Sequence, residues 1–133
     1  MSGVRQLRLV VHAEDYEEAL AFFRDVLGMP VAEAYAGDGG AEVSILDAGR
    51  ATLELSNTPQ IAMIDDVEVG RRVAPKFRVA LEVDDCAGAS DRATAGGAVA
   101  VAPPTRTPWE SLNARFDAPG GIHLTLFQEL AEP

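Results

Sequence analysis

Few side chains in this sequence are of a type that takes part in catalysis or ligand binding, and most of them lie on strand-like segments. The chain has two histidines, His12 and His123, and a histidine can exchange a proton near neutral pH. Arg8 shares the polar face of the first strand with His12, and Arg78 recurs 70 residues later at the equivalent place of another strand. The single cysteine, Cys86, supports neither a disulfide framework nor a zinc-ligand cluster. The histidines are therefore candidates for a general base or for structural hydrogen bonding.

The elements that must position these residues begin with an alternating strand over residues 6–13. Asp15 then provides an N-cap, and apolar residues recur at helical spacing until Gly28, which is typical of a helix stop. Glycine turns separate the next three short strands, predicted as an antiparallel meander over residues 31–35, 42–47 and 51–56.

The second half of the chain repeats this plan. Residues 58–75 have no clean periodicity and are predicted to be a connecting loop. A strand over residues 77–83 follows, then a helix capped by Asp85 and at least three more strands, over residues 99–102, 111–117 and 122–127. The sequence therefore predicts an α+β fold of two tandem βαβββ modules, about residues 5–57 and 76–128, in a single domain over residues 1–133.

Composition narrows the class of partner. The chain has 133 residues, of which 47% are hydrophobic and 24% charged, so it is expected to fold as one globular domain. The formal net charge of −10 argues against binding nucleic acid, which requires clustered cations. No apolar run is long enough to span a membrane, and residues 1–8 do not form a signal peptide. We therefore expect a soluble cytoplasmic protein.

Three segments resemble the vicinal oxygen chelate superfamily, which includes glyoxalase I, the bleomycin resistance proteins and the extradiol dioxygenases. Residues 15–29, DYEEALAFFRDVLGM, are close to that family's D-x-x-x-(S/A)-x-x-F-Y-x-x-x-L-G helix. Residues 77–85 fit its second-module strand, and residues 116–121, FDAPGG, fit the hairpin before its last strand. The resemblance spans roughly residues 5–128 and implies a curved mixed sheet of two βαβββ modules around a cavity.

The same resemblance implies where a metal would bind, because metal-using members take one ligand from each of four strands. The corresponding positions here are Arg8, Glu54, Arg78 and Thr125. Arginine has no lone pair to donate, and a threonine hydroxyl is a poor ligand for a transition metal, so only Glu54 is a plausible ligand. We expect no metal or other cofactor there. In one interpretation, Arg78 and Glu54 form an ion pair, and Arg8 is left to bind an anionic or carbonyl oxygen of a ligand. In the alternative, the three side chains neutralise one another and bind no ligand.

Several further residues are candidates for ligand contact. On the implied fold, His12 points into the cavity beside Arg8, and His123 shares a face with Thr125. Trp109 stands near a turn that lines a ligand groove in bleomycin resistance proteins, and a packing role is the alternative for this side chain. Phe22 lies off the apolar stripe of its helix, and residues 61–64 form an apolar cluster in the predicted loop. Because apolar side chains exposed to solvent are unfavourable, we expect a second copy of the chain to cover them in a homodimer.

Three functions remain open at this stage. The first is a protein that binds a small organic molecule in a metal-free cavity, as antibiotic-resistance members do. The second is an enzyme, such as an isomerase or lyase, that moves a proton on a carbonyl compound with His12 or Glu54 as base. The third is a metal-dependent lyase or dioxygenase with a non-standard ligand set of Glu54, His12 and His123.

Overall fold

The structure is a computed structural model that describes residues 3–26, 28–119 and 121–130. Leu27 of the predicted first helix and Gly120 of the predicted last turn lie outside the described residues. The strands are β1 (Gln6–His12), β2 (Val31–Ala36), β3 (Glu42–Ala48), β4 (Ala51–Ser56), β5 (Phe77–Glu82), β6 (Val99–Arg106), β7 (Ser111–Ala118) and β8 (Ile122–Glu129). The α-helices are α1 (Tyr16–Ala21), α2 (Thr58–Glu68) and α3 (Cys86–Ala95).

All eight strands form one sheet in the order β2-β3-β4-β1-β5-β8-β7-β6. Each module pairs its first and last strands in parallel, β1 with β4 and β5 with β8, and the modules join through an antiparallel β1–β5 pair. Leu9 lies opposite Val79 in that pair, so a pseudo-twofold axis passes between them. The predicted α+β fold of two tandem βαβββ modules is confirmed.

The two faces of the sheet are covered differently. On the outer face, α1 packs Tyr16 and Leu20 against Leu46 and Leu55, and α3 packs small side chains such as Ala89 against the second module. The inner face carries Arg8, Glu54 and Arg78. It is concave, because Arg8 on β1 approaches Glu33 on β2 to 3.9 Å although two strands, each about 4.8 Å wide, lie between them.

The connection between the modules differs from the predicted loop, because it contains the eleven-residue helix α2. Asn57 caps this helix through a hydrogen bond from the Gln60 backbone, and Pro59 lies in its first turn, where a missing N–H costs nothing. Ile61 is buried on the inner face against Val10, Ala80 and Phe127. The apolar cluster over residues 61–64 is therefore covered by its own chain at Ile61, and its other members are half-buried rather than exposed.

Two other elements depart from the predicted boundaries. The first helix is α-helical only to Ala21 and continues as a π-helical turn, Phe22–Val26, in which the rings of Phe22 and Phe23 meet edge to face at 5.2 Å. Strand β6 runs past the predicted residue 102 and through Pro103 and Pro104, which the outermost strand tolerates because its free edge needs no N–H donor. None of the helices in the described ranges is long and apolar enough to cross a membrane.

Candidate functional site

The inner face brings together the four positions implied by the resemblance, Arg8, Glu54, Arg78 and Thr125. Val10 lies opposite both Glu54 and Arg78, and its symmetry mate Ala80 lies opposite Thr125 and Arg8. Because directly paired residues point to the same side of a sheet, these four side chains share the inner face around the pseudo-twofold axis.

Arg8 is the most accessible of the four. Its side chain is 20% exposed, lies over the ring of Phe127 at 5.2 Å and donates from Nε to Gln6 at 2.5 Å. Its terminal nitrogens approach Glu54 at 3.7 Å and Glu33 at 3.9 Å, which is beyond hydrogen-bond distance. Arg8 is therefore loosely neutralised, and its two outer nitrogens have donors to offer.

Arg78 is buried and incompletely satisfied. Nη1 donates to Thr125 Oγ1 at 2.7 Å, while Nε has no hydrogen-bond partner within the part of the chain that the structure describes. The ion pair expected between Arg78 and Glu54 is instead formed by Arg8, because Arg78 turns toward β8. Burial lowers the pKa of Arg78, and nearby Arg115 adds to the decrease.

Glu54 lies between the two guanidinium groups. Its side chain is 15% exposed, and burial raises its pKa, although the charges of Arg78 and Arg8 oppose that rise. Glu68 on α2 adds to the increase by repulsion. A carboxyl with a raised pKa that still reaches solvent is suited to accept and return a proton.

Helix α2 lies across the inner face and contacts both modules, and its last two turns carry acidic side chains that reach the second module. Arg115 on β7 is fully buried and donates from Nε to Glu68 at 2.8 Å, while its Nη2 lies 3.1 Å from Asp65. The other carboxylate oxygen of Asp65 accepts the backbone N–H groups of Val73 and Ala74. These ionic contacts fix α2 and the segment after it onto the sheet.

The buried network extends in both directions from this point. Glu68 also accepts a hydrogen bond from Asn113 at 2.8 Å, and Asn113 accepts one from Ser111. On the other side, Nη1 of Arg115 lies 3.0 Å from Nε2 of His123. Because a guanidinium can only donate, Nε2 of His123 accepts this hydrogen bond. Burial lowers the pKa of His123, and the charge of Arg115 lowers it further.

Charges of alternating sign therefore cross the inner face. We call this set the charge row, and it consists in spatial order of Glu33, Arg8, Glu54, Arg78, Glu68 and Arg115. Its first member has a side chain that is 47% exposed, and its last is fully buried. Exposure within the charge row therefore increases toward Glu33.

The remaining candidates lie apart from the charge row. The His12 ring bonds Thr58 Oγ1 at 2.8 Å at the start of α2, where it is not within hydrogen-bond reach of Glu54. Trp109 is 42% exposed in the turn between β6 and β7. Two cavities, of about 340 and 620 Å³, are lined by other segments, the first including Arg5 and Arg50 and the second including Glu14 and Glu42.

The donor set does not fit a divalent metal. Among the four central positions only Glu54 offers a free electron pair of the kind that metals prefer, and two guanidinium groups add repulsion. Within residues 3–26, 28–119 and 121–130, no group of three or more histidine, cysteine or acidic side chains is arranged to hold a metal ion. We therefore derive no chemistry through a metal.

Asp65, Glu68, Asn113 and Arg115 were not singled out from the sequence. A signal was present in β7, where Ser111, Asn113, Arg115 and Asp117 alternate with apolar residues and must share one face. The spacing of Ile61, Asp65 and Glu68 likewise fits one face of a helix.

Comparison with known proteins places this duplicated fold in a class. Structures with similar folds include a hypothetical protein from Bacillus halodurans C-125, with a TM-score of 0.73, 11% identity and 99% coverage of both chains. Methylmalonyl-CoA epimerase from Mycobacterium tuberculosis has a TM-score of 0.62 and 20% identity, covering 97% of this chain and 89% of the epimerase. A superfamily member from Vibrio splendidus 12B01 has a TM-score of 0.62 and 14% identity, covering 96% of this chain and all of the other.

These likenesses show a shared fold. The family model described as Glyoxalase/Bleomycin resistance protein/Dioxygenase superfamily matches residues 5–126, and the chain belongs to that superfamily. No curated protein sequence matches it.

Proposed function

We propose that the protein binds a small organic molecule without a metal, through an anionic or carbonyl oxygen held by guanidinium groups. The observation that carries the proposal is Arg78, which is only 6% exposed yet has an Nε without a hydrogen-bond partner among the described residues. A buried donor that makes no hydrogen bond costs about 1–3 kcal/mol, and more when charged. A ligand oxygen or an ordered water would remove that cost.

Arg8 provides the accessible part of the same site. Its outer nitrogens lie beyond hydrogen-bond distance from Glu54 and Glu33, so a ligand oxygen can bind them without breaking a direct hydrogen bond. Exposure increases from Arg78 through Arg8 to Glu33, so a ligand would enter at the Glu33 end of the charge row. Glu54 would contact the ligand beside both arginines, and Thr125 would hold Arg78 in place.

A calorimetric titration with a panel of small carboxylates and ketones tests this proposal. We expect Arg8→Gln to weaken the best ligand by about tenfold or more, the effect of losing a charged hydrogen bond. Arg50→Gln, at another exposed arginine, is the matched control. Equal affinity in both variants, or a stoichiometric divalent metal at Glu54 by elemental analysis, would contradict the proposal.

A second candidate function is proton transfer on the bound molecule, as in an isomerase or lyase. The raised pKa of Glu54, caused mainly by burial, supports this candidate, with Arg8 positioned to stabilise a developing enolate oxygen. Incubation of a bound carbonyl compound in D₂O would reveal exchange at the carbon next to the carbonyl. Exchange lost in Glu54→Gln, with binding retained, supports the enzyme; binding without exchange in the unaltered protein supports the binding function alone.

We also propose that the protein acts as a cytoplasmic homodimer with one domain per chain. Phe22 is 48% exposed and Val26 is 69% exposed, which gives the end of the first helix an apolar surface. Sedimentation should show a dimer that Phe22→Ser weakens. A monomer at all concentrations would remove the proposal.

A further inference from the structure

The open side of the site carries carboxylates in addition to the arginines. Glu33 lies across from Arg8, and the hydroxyl of Tyr35 donates to its other oxygen at 3.0 Å. Because Glu33 lies opposite Ile45, which in turn lies opposite Glu54, all three share the inner face. An exposed carboxylate therefore stands next to the accessible guanidinium.

A second carboxylate, Glu129 of the other module, shares the inner face with Phe127. Glu129 at the end of β8 is exposed, and its charge helps to raise the pKa of Tyr35, after the larger effects of the Glu33 hydrogen bond and of burial. Arg8 acts on the same hydroxyl in the opposite direction. Glu33, Tyr35, Arg8 and Glu129 therefore lie within electrostatic range of one another.

A ligand with only negative charge suits this arrangement poorly. Two unit charges 4 Å apart repel by about 1 kcal/mol in water and by several times that where solvent is partly excluded. An oxygen bound to Arg8 lies close to Glu33, so part of its attraction is lost. The arrangement does suit a molecule whose positive group faces Glu33 while its oxygen faces the arginines.

We infer that the ligand is a small zwitterion, with a carboxylate at Arg8 and Arg78 and a protonated amine at Glu33 and Tyr35. This inference rests on the proposed binding function and specifies its ligand class. The carboxylate end of the ligand uses the unpartnered Nε of buried Arg78, which lies on the same face of the sheet as Arg8 and lacks an acceptor among the described residues. An amino acid has both groups on one carbon, which matches the closeness of Glu33 to Arg8.

The test uses matched sets of probes. A thermal-shift screen of the common amino acids is followed by calorimetry on the best one, on its deaminated carboxylate and on its decarboxylated amine. We expect the amino acid to bind about tenfold more tightly than either relative, equivalent to about 1.4 kcal/mol. A deaminated carboxylate that binds as tightly overturns the zwitterion but leaves the proposed function standing. If amino acids, carboxylates and ketones all fail to bind, the proposed function itself fails.

Substitution separates the two charges of the site. In Glu33→Gln, the amino acid and its deaminated carboxylate should bind with nearly the same affinity. The deaminated carboxylate should bind this variant at least as tightly as it binds the unaltered protein, because a repulsion is removed. Arg8→Gln should weaken both probes. Glu18→Gln, at an exposed carboxylate of α1 on the outer face, is the matched control and should change neither. An unchanged preference in Glu33→Gln would refute the inference.

Discussion

Replacing Arg115 by methionine tests whether α2 is held by charge rather than by apolar packing alone. The side chain of Arg115 is fully buried, as are those of its partners Glu68 and Asp65, at 2.8 and 3.1 Å. Removal of Arg115 leaves two buried carboxylates without their cationic partner, and breaking such a pair costs about 3–5 kcal/mol. Against a total stability of roughly 5–15 kcal/mol, the variant would lose a large share of its free energy of unfolding.

Urea denaturation followed by circular dichroism measures this loss, and thermal unfolding should show a decrease of roughly 10–20 °C. Arg106→Met, which removes an exposed ion pair with Glu110, is the control and should change the stability by no more than about 1 kcal/mol. A companion variant that also carries Glu68→Gln should recover part of the stability, because one uncompensated charge is gone. If Arg115→Met costs less than about 1 kcal/mol, the charges do not hold α2 and the reasoning is wrong.

Three further outcomes follow from the same contacts. The pKa of His123 is lowered in the folded state, so the unfolded state binds the proton first as pH falls below about 6.5. The free energy of unfolding should therefore decrease below that pH. Urea titrations across pH should show a weaker decrease in His123→Gln. Asn57→Ala should cost about 1–2 kcal/mol by chemical denaturation, because the α2 cap is lost, whereas an unchanged midpoint would contradict the capping role. Thr125→Val removes the acceptor of Arg78 and should cost about 1.5–3 kcal/mol in the same assay, and a neutral result would mean that water replaces the hydroxyl.

The strands and the axis that relates the modules could be predicted from local patterns. The alternation in β1 and β5 and the equivalent spacing of Arg8 and Arg78 depend only on period two and on duplication. The caps at Asp15 and Asp85 accept the expected backbone hydrogen bonds. These features are local in sequence, so their physical causes can be read without knowledge of the tertiary contacts.

The packing of α2 on the inner face could not be predicted from local sequence patterns. The missing periodicity of residues 58–75 predicts a loop, whereas Asn57 caps a helix there and Pro59 lies in its first turn. The partners of Arg115 lie 47 and 50 positions earlier in the chain, at Glu68 and Asp65, and no local pattern links them. The choice of Arg8 over Arg78 as the partner of Glu54 depends on side-chain direction, which sequence spacing leaves open.

The charge row also constrains how this protein can evolve. Each member between the ends has a neighbour of opposite sign on both sides, so a single substitution there removes a compensating charge from two neighbours at once. A descendant that regained a divalent ion beside Glu54 would have to exchange both Arg8 and Arg78 for lone-pair donors, and intermediates with one exchange would be less stable than either endpoint. The present side chains are thus easier to retain or to replace as a group than to alter one at a time.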